Sequence, residues 1–123
     1  MDRLSNTFTK KERLTGQKLI ANLFENGETS LVYPLKVIYL ETEFSDKYQA
    51  KAAFSISKKN FRKAVDRNLL KRRMREAYRL NKANFYANLK NKNLAVMFIY
   101  VAKDILPYSS IEKSLKTILN KLA

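Results

Sequence analysis

The fold turns on Lys58-Lys59-Asn60-Phe61-Arg62-Lys63-Ala64-Val65-Asp66-Arg67-Asn68-Leu69-Leu70-Lys71-Arg72-Arg73-Met74-Arg75-Glu76-Ala77-Tyr78-Arg79-Leu80-Asn81-Lys82. This stretch holds eleven Lys or Arg against two acids, +9 of the chain's +14. From Val65 onward neither Pro nor Gly interrupts it, and Val65, Leu69, Leu70, Met74, Ala77 and Tyr78 recur at helical spacing. The spacing predicts one long helix whose apolar pattern continues through Phe85 and Leu89 until Asn91-Lys92-Asn93 breaks it. Arg67, Lys71, Arg75 and Arg79 follow one another at i+4, with Asn68, Arg72 and Lys82 in the same arc. One face is therefore expected to pack and the other to form a cationic ridge. A run of charge is ordinarily a solvated face, but there the signs are mixed. Here they are not, and like charges at i,i+4 cost about 0.2–0.5 kcal/mol per pair. A helix that tolerates this repulsion is expected to meet a polyanion, with nucleic acid the first candidate.

Immediately before the helix, Lys51 to Ser57 reads as a strand with Ala52, Phe54 and Ile56 on one face. The other face carries only the small residues Ala53, Ser55 and Ser57, which leaves room there for something else. Further back, Leu31 to Leu40 is β-prone and divided by Pro34 into a short strand and a second one, where Leu35, Val37 and Tyr39 share a face. The acidic Glu41 to Asp46 reads as a hairpin loop between that strand and the next. Before these strands, Leu19, Ile20, Leu23 and Phe24 predict a short helix over roughly 15–26, capped by Thr15 and stopped by Gly27. Residues 1–13 form a basic, extended lead-in. After the long helix, Leu94 to Ala102 is continuously apolar, as expected of a strand buried on both faces. Pro107 then bars a helix from crossing it, and Ser109 or Ser110 caps a last helix bearing Ile111, Leu115, Ile118, Leu119 and Leu122. The order is αβββαβα: an α+β domain over 1–123 with a mixed sheet of about four strands. The spacer and basic helix (58–90) join two strands that are expected to lie parallel.

A chain of 123 residues, 46% hydrophobic, is long enough for one domain with a real core. It contains no Cys and no His, so disulfides, thiolate metal sites and the usual general base are all absent from its side chains. No catalytic residue is expected. The polar start, Met1 to Asn6, lacks the apolar run of a signal peptide, and the nine residues Leu94–Ala102 are about half of a membrane span. A soluble, cytoplasmic protein is expected. An interfacial membrane helix would show Trp or Leu where this one shows Asn and Arg.

Ser57-Lys58-Lys59, Ala64-Val65, Arg67-Asn68, Lys71-Arg72 and Arg75-Glu76-Ala77 together resemble the signature of the bacterial ribonuclease P protein component. Lys10-Lys11-Glu12-Arg13-Leu14 and Leu23-Phe24-Glu25-Asn26-Gly27 extend that resemblance over nearly the whole chain. Two departures stand out. Leu69 occupies the third position of the family's Arg-Asn-Arg, so a phosphate contact made there is lost or moves to Arg72 or Arg73. The spacer Asn60-Phe61-Arg62-Lys63 is one residue longer than usual and lacks a glycine.

The resemblance implies a noncatalytic protein subunit. Its partners would be ribonuclease P RNA, which performs catalysis, and precursor tRNA, whose 5′ leader is cut off using Mg²⁺ held mainly by RNA. No membrane and no obligate protein partner are implied. It also implies a left-handed crossover at the basic helix, against the usual preference. Lys58, Lys59, Arg67, Asn68, Lys71, Arg72 and Arg75 would contact the catalytic RNA. Ile20, Phe24, Tyr39 and Phe54 would line a cleft for the single-stranded leader, where bases stack on aromatic rings. A ribosomal or assembly-type RNA-binding protein without nuclease association is the alternative, and a DNA-binding protein ranks third, since no helix-turn-helix pairing is evident.

Overall fold

The computed structural model describes residues 10–44, 49–90 and 92–122. The first nine residues of the lead-in lie outside them. The elements are α1 (Gln17–Asn26), β1 (Glu28–Val32), β2 (Leu35–Glu41), β3 (Ala50–Ile56), α2 (Ala64–Leu89), β4 (Leu94–Tyr100) and α3 (Tyr108–Leu122), preceded by one 3-10 turn at Lys10–Glu12. The four strands form a single sheet in the order β1-β2-β4-β3. The α+β architecture and mixed sheet agree with the αβββαβα order expected above.

The apolar run of β4 decides the sheet. Buried along nearly its whole length, β4 sits inside, antiparallel to β2 and parallel to β3. The expected parallel pair across the basic helix is therefore present. The expected hairpin between β2 and β3 is not, because β4 lies between them and the acidic segment joins two strands that never pair. The hairpin is β1–β2, turning at Tyr33 and Pro34, with Val32 opposite Leu35.

Alternation along the strands divides the interior into two layers. Leu35 and Val37, Ala52 and Ile56, and Val96, Phe98 and Tyr100 face α2 and α3 and build the larger core with Leu70, Met74, Tyr78, Phe85, Ile111 and Leu115. Burying one side chain of this size contributes about 1.5–3 kcal/mol. Ile38, Ala95 and Met97 point to the other face, where α1 seats Leu23 and brings Leu19 and Ile20 against them. α1 turns straight into β1 at Gly27, whose N–H donates to the Leu23 carbonyl at 2.8 Å. Its φ of −74° is ordinary. A side chain is barred there by crowding, since a Cβ would collide with the Leu23 carbonyl and approach Ile38 Cγ2 to 2.8 Å.

Helix starts differ from expectation. α1 begins after Gly16, at φ 98°, with no side-chain cap; Thr15 does not cap it. A left-handed φ of this kind suits glycine. α3 begins at Tyr108, before Ser109 and Ser110. The N–H groups of Ser110 and Ile111 in its first turn donate to the Pro107 carbonyl at 3.1 and 3.4 Å, so the helix is entered at Pro107 and neither serine is the cap. On α2, Val65 is expected to pack but is 69% exposed.

Candidate nucleic-acid interface

The basic lead-in is not simply extended. After the 3-10 turn, Arg13 forms a parallel bridge with Ala52, and the Leu14 N–H donates to the Ala52 carbonyl at 2.9 Å, covering the open edge of β3. Glu12 is only 2% exposed. Both of its carboxylate oxygens accept from Lys82 Nζ, at 2.8 and 2.7 Å, and the Tyr86 hydroxyl donates to one of them at 2.7 Å. The Tyr78 hydroxyl donates in turn to Tyr86 at 3.3 Å. Burial, above all, pushes the Tyr78 and Tyr86 hydroxyls well above the ordinary tyrosine range. The helical wheel places Lys82 in the cationic arc, but Glu12 reaches over that arc and buries it, so Lys82 is not part of an exposed ridge.

Short of that cover, the ridge is present. Asn68, Arg72 and Arg75 are exposed, Lys71 is half-buried, and Lys58 and Lys59 are exposed in the turn after β3. Ser57 shapes that turn: its Oγ accepts the Lys59 N–H at 3.2 Å and its carbonyl accepts the Phe61 N–H at 3.1 Å. Phe61 is buried edge-on against Tyr100. Arg67 is committed differently from its neighbours, since its Nη1 donates to the carbonyls of Phe61 and Arg62 at 2.8 and 2.9 Å. It fixes the spacer path ahead of the helix. Arg73 likewise donates to the Leu106 carbonyl at 2.7 Å, tying α2 to the loop before α3. Of the two neighbours that could replace a cation missing at Leu69, only Arg72 is exposed. Toward the end of the ridge Arg79 donates to Glu76, and this hydrogen bond holds the Glu76 carboxyl below its usual range and raises the guanidinium.

The four expected cleft residues do not come together. Ile20 and Phe24 lie on α1, with Phe24 54% exposed. Tyr39 and Phe54 pack on the opposite face of the sheet, with the larger core; the Phe54 ring stacks on Phe98 at 5.5 Å and meets Tyr78 edge-on at 5.9 Å. Period-two alternation accounts for this, because Tyr39 shares its face with Leu35 and Val37. On the α1 side the register aligns Lys36, Ile99 and Ser55, then Ile38, Met97 and Ala53. On this sheet face the less buried positions are thus the small residues of β3 with Lys36 and Ile99.

The family model described as Ribonuclease P matches residues 8–123. The chain belongs to the ribonuclease P protein component family. A ribonuclease P protein component from Porphyromonas gingivalis is 35% identical over 118 residues, covering 94% of this chain and 85% of that one. The ribonuclease P protein from Thermotoga maritima superimposes with a TM-score of 0.71 at 21% identity, covering 91% of this chain and 98% of that one. The protein from Staphylococcus aureus gives 0.69 at 22%, covering 90% and 94%. These structural likenesses show the shared fold. Family membership decides between the two RNA-binding readings left open by composition, and makes the chain a ribonuclease P protein component, a protein of tRNA processing. Glu12 was visible in the sequence only as part of a motif. A lone acid within a basic segment, with a lysine in a helical arc otherwise lacking acids, was the available signal for their pairing.

Proposed function

We propose that the chain binds ribonuclease P RNA through the exposed arc of α2 and the Lys58-Lys59 turn, and receives the 5′ leader of precursor tRNA along α1 and the adjacent sheet face. It thereby promotes Mg²⁺-dependent removal of the leader, with catalysis residing in the RNA. The observation that carries this reading is the single-sign arc of Asn68, Lys71, Arg72 and Arg75, left uncovered on a helix whose other side is core. Guanidinium and ammonium groups placed there neutralise phosphates and release counterions, a term that dominates nonspecific affinity. Asn68 adds both a donor and an acceptor. Arg67, which the resemblance assigns to RNA, supports the interface by holding the spacer.

On the other side of the molecule, Phe24 offers a ring for a base to stack on, worth about 1–3 kcal/mol per base. Lys36 adds a cation on the sheet face that α1 covers. Tyr39 and Phe54, facing the core, are not assigned to this surface. Among the described residues no group of three or more carboxylates, His or Cys comes together that could hold a metal. Reconstitution tests the proposal: the chain is mixed with the catalytic RNA of the same cell at low Mg²⁺ and leader removal is followed. Stimulated cleavage is expected, and no stimulation would overturn the reading.

A further inference from the structure

At the end of the sheet away from the junction of α1 with β1, separate segments of the chain gather round the Tyr100 ring. The tip of the β1–β2 hairpin is held there because the Pro34 carbonyl accepts the Val101 N–H at 2.9 Å. The spacer arrives through Phe61, whose ring meets Tyr100 edge-on with centroids 5.8 Å apart. The loop after β4 folds back over the Tyr100 hydroxyl, which donates to the Asp104 carbonyl at 2.6 Å and accepts the Leu106 N–H at 3.0 Å. Arg73 of α2 closes the group on the Leu106 carbonyl. Burial pushes the Tyr100 hydroxyl above its ordinary range, and Tyr33 beside it pushes the same way. Tyr33 itself is 65% exposed, and Ile105 in the loop is exposed as well. The hairpin tip thus presents an aromatic ring to solvent from a backbone that is tied down.

The rim of this end is mostly cationic. Arg62 and Lys63 of the spacer and Lys103 of the loop are exposed, as are Lys58 and Lys59 of the adjoining turn, against the exposed Asp104 and the half-buried Asp66. An aromatic ring among cations is the combination that holds unpaired nucleic acid, with a base on the ring and phosphates on the charges. A ring already fixed in place loses little freedom on binding. The location decides which RNA. From Gly27, near Phe24, the five residues of β1 carry the chain to the tip at about 3.3 Å each, about 16 Å from the surface assigned to the leader. The rim is instead continuous with the Lys58-Lys59 turn. We propose that Tyr33 stacks on an unpaired base of ribonuclease P RNA, with Arg62, Lys63 and Lys103 on the flanking phosphates. The interface with the catalytic RNA then continues from α2 round the end of the sheet, an inference that rests on the RNA-binding reading above.

The test measures affinity of the full chain for ribonuclease P RNA against salt concentration. Tyr33→Ala should weaken binding about tenfold, within the range for loss of one stacked base. Its log–log salt slope should stay unchanged, because no phosphate contact is removed, whereas Lys103→Gln should lower the slope by about 0.7–0.9. Tyr33→Phe keeps the ring and should bind like the parent. The chain contains no Trp, so Tyr33→Trp places a single fluorophore at the tip, whose emission the catalytic RNA should quench. Parental affinity for Tyr33→Ala, a Tyr33→Phe variant as weak as Tyr33→Ala, or unquenched emission from Tyr33→Trp would each overturn the proposal. So would a loss that appears only when the holoenzyme binds precursor tRNA, since that assigns the ring to the substrate. If Arg72→Gln lowers the slope while Tyr33→Ala and Lys103→Gln change nothing, the ridge stands and the stacking proposal alone falls. If none of the three changes affinity or slope, the RNA-binding reading falls with it. An unfolding midpoint for Tyr33→Ala equal to the parent's confirms that the fold is intact.

Discussion

Lys82→Met tests the buried ion pair that seats the amino-terminal segment. Lys82 and Glu12 side chains are 2% and 3% exposed, with Nζ 2.7 Å from one carboxylate oxygen and 2.8 Å from the other. At an effective dielectric near 20, a 2.7 Å separation gives a gross attraction of about 6 kcal/mol. Removing both ions from water costs several kcal/mol each, so the intact pair contributes little net stability. Breaking it is another matter. Lys82→Met takes the Lys82 ammonium from the buried Glu12 carboxylate, which should cost about 3–5 kcal/mol. For a urea m-value of about 1.5 kcal/mol/M, the unfolding midpoint at neutral pH should fall by about 2–3 M with m unchanged. That is a large share of a stability of about 5–15 kcal/mol. The companion variant Glu12→Leu/Lys82→Met/Tyr86→Phe replaces all three polar groups by apolar ones and should recover to within about 2 kcal/mol of the parent. Equilibrium urea unfolding followed by circular dichroism reads both. A single variant costing under about 1 kcal/mol, or a triple variant no better than the single, would refute the desolvation account.

Phe24→Ala should change stability by less than about 1 kcal/mol, since the ring is 54% exposed. It should weaken holoenzyme binding of precursor tRNA by about 1–3 kcal/mol and spare mature tRNA, with titration of both substrates giving the answer. Gly27→Ala should destabilise the fold by about 1–3 kcal/mol, the usual cost of overpacking; a Cβ meets Ile38 Cγ2 at 2.8 Å and the Tyr39 carbonyl at 3.1 Å, and thermal unfolding measures the loss. Tyr78 and Tyr86 have raised folded values, and burial with Glu112 beside it pushes Tyr108 up to about 12. A tyrosine favoured in its neutral form contributes stability below its unfolded value of about 10, lost as pH rises toward the folded one. Stability should therefore decline from about pH 10 upward, and tyrosinate absorbance should show Tyr108 ionising near pH 12, ahead of the buried pair.

Local pattern carried most of the architecture into the sequence. The continuous apolar run of β4 announced an internal strand, and the helical spacing from Val65 to Leu89 announced α2, because both signals depend only on neighbours along the chain. What stayed hidden depends on neighbours in space. That β4 would insert between β2 and β3 is a pairing choice no short window contains, so the acidic segment passed for a hairpin loop. The helical wheel does place Lys82 in the arc, but its cover comes from a residue 70 positions away in sequence. The cleft divides along the same line. Phe54 shares its face with Ala52 and Ile56, and Tyr39 shares its face with Leu35 and Val37; strand alternation alone could not say which face α1 would cover. The small residues Ala53 and Ser55 were the better indicator of open space, and that face is the one beside α1.

The central position of β4 also sets an order of assembly. β2 and β3 share no hydrogen bonds with each other, and each waits for a strand at residues 94–100, near the end of the chain. While the chain is being synthesised, the β1–β2 hairpin can close early, whereas β3 and the whole of α2 leave the ribosome before the strand that unites them. During that interval two strand edges are open, a condition that favours pairing with other chains. A fragment ending before Leu94 is accordingly expected to self-associate, and the last quarter of the chain acts as the keystone that turns two partial sheets into one.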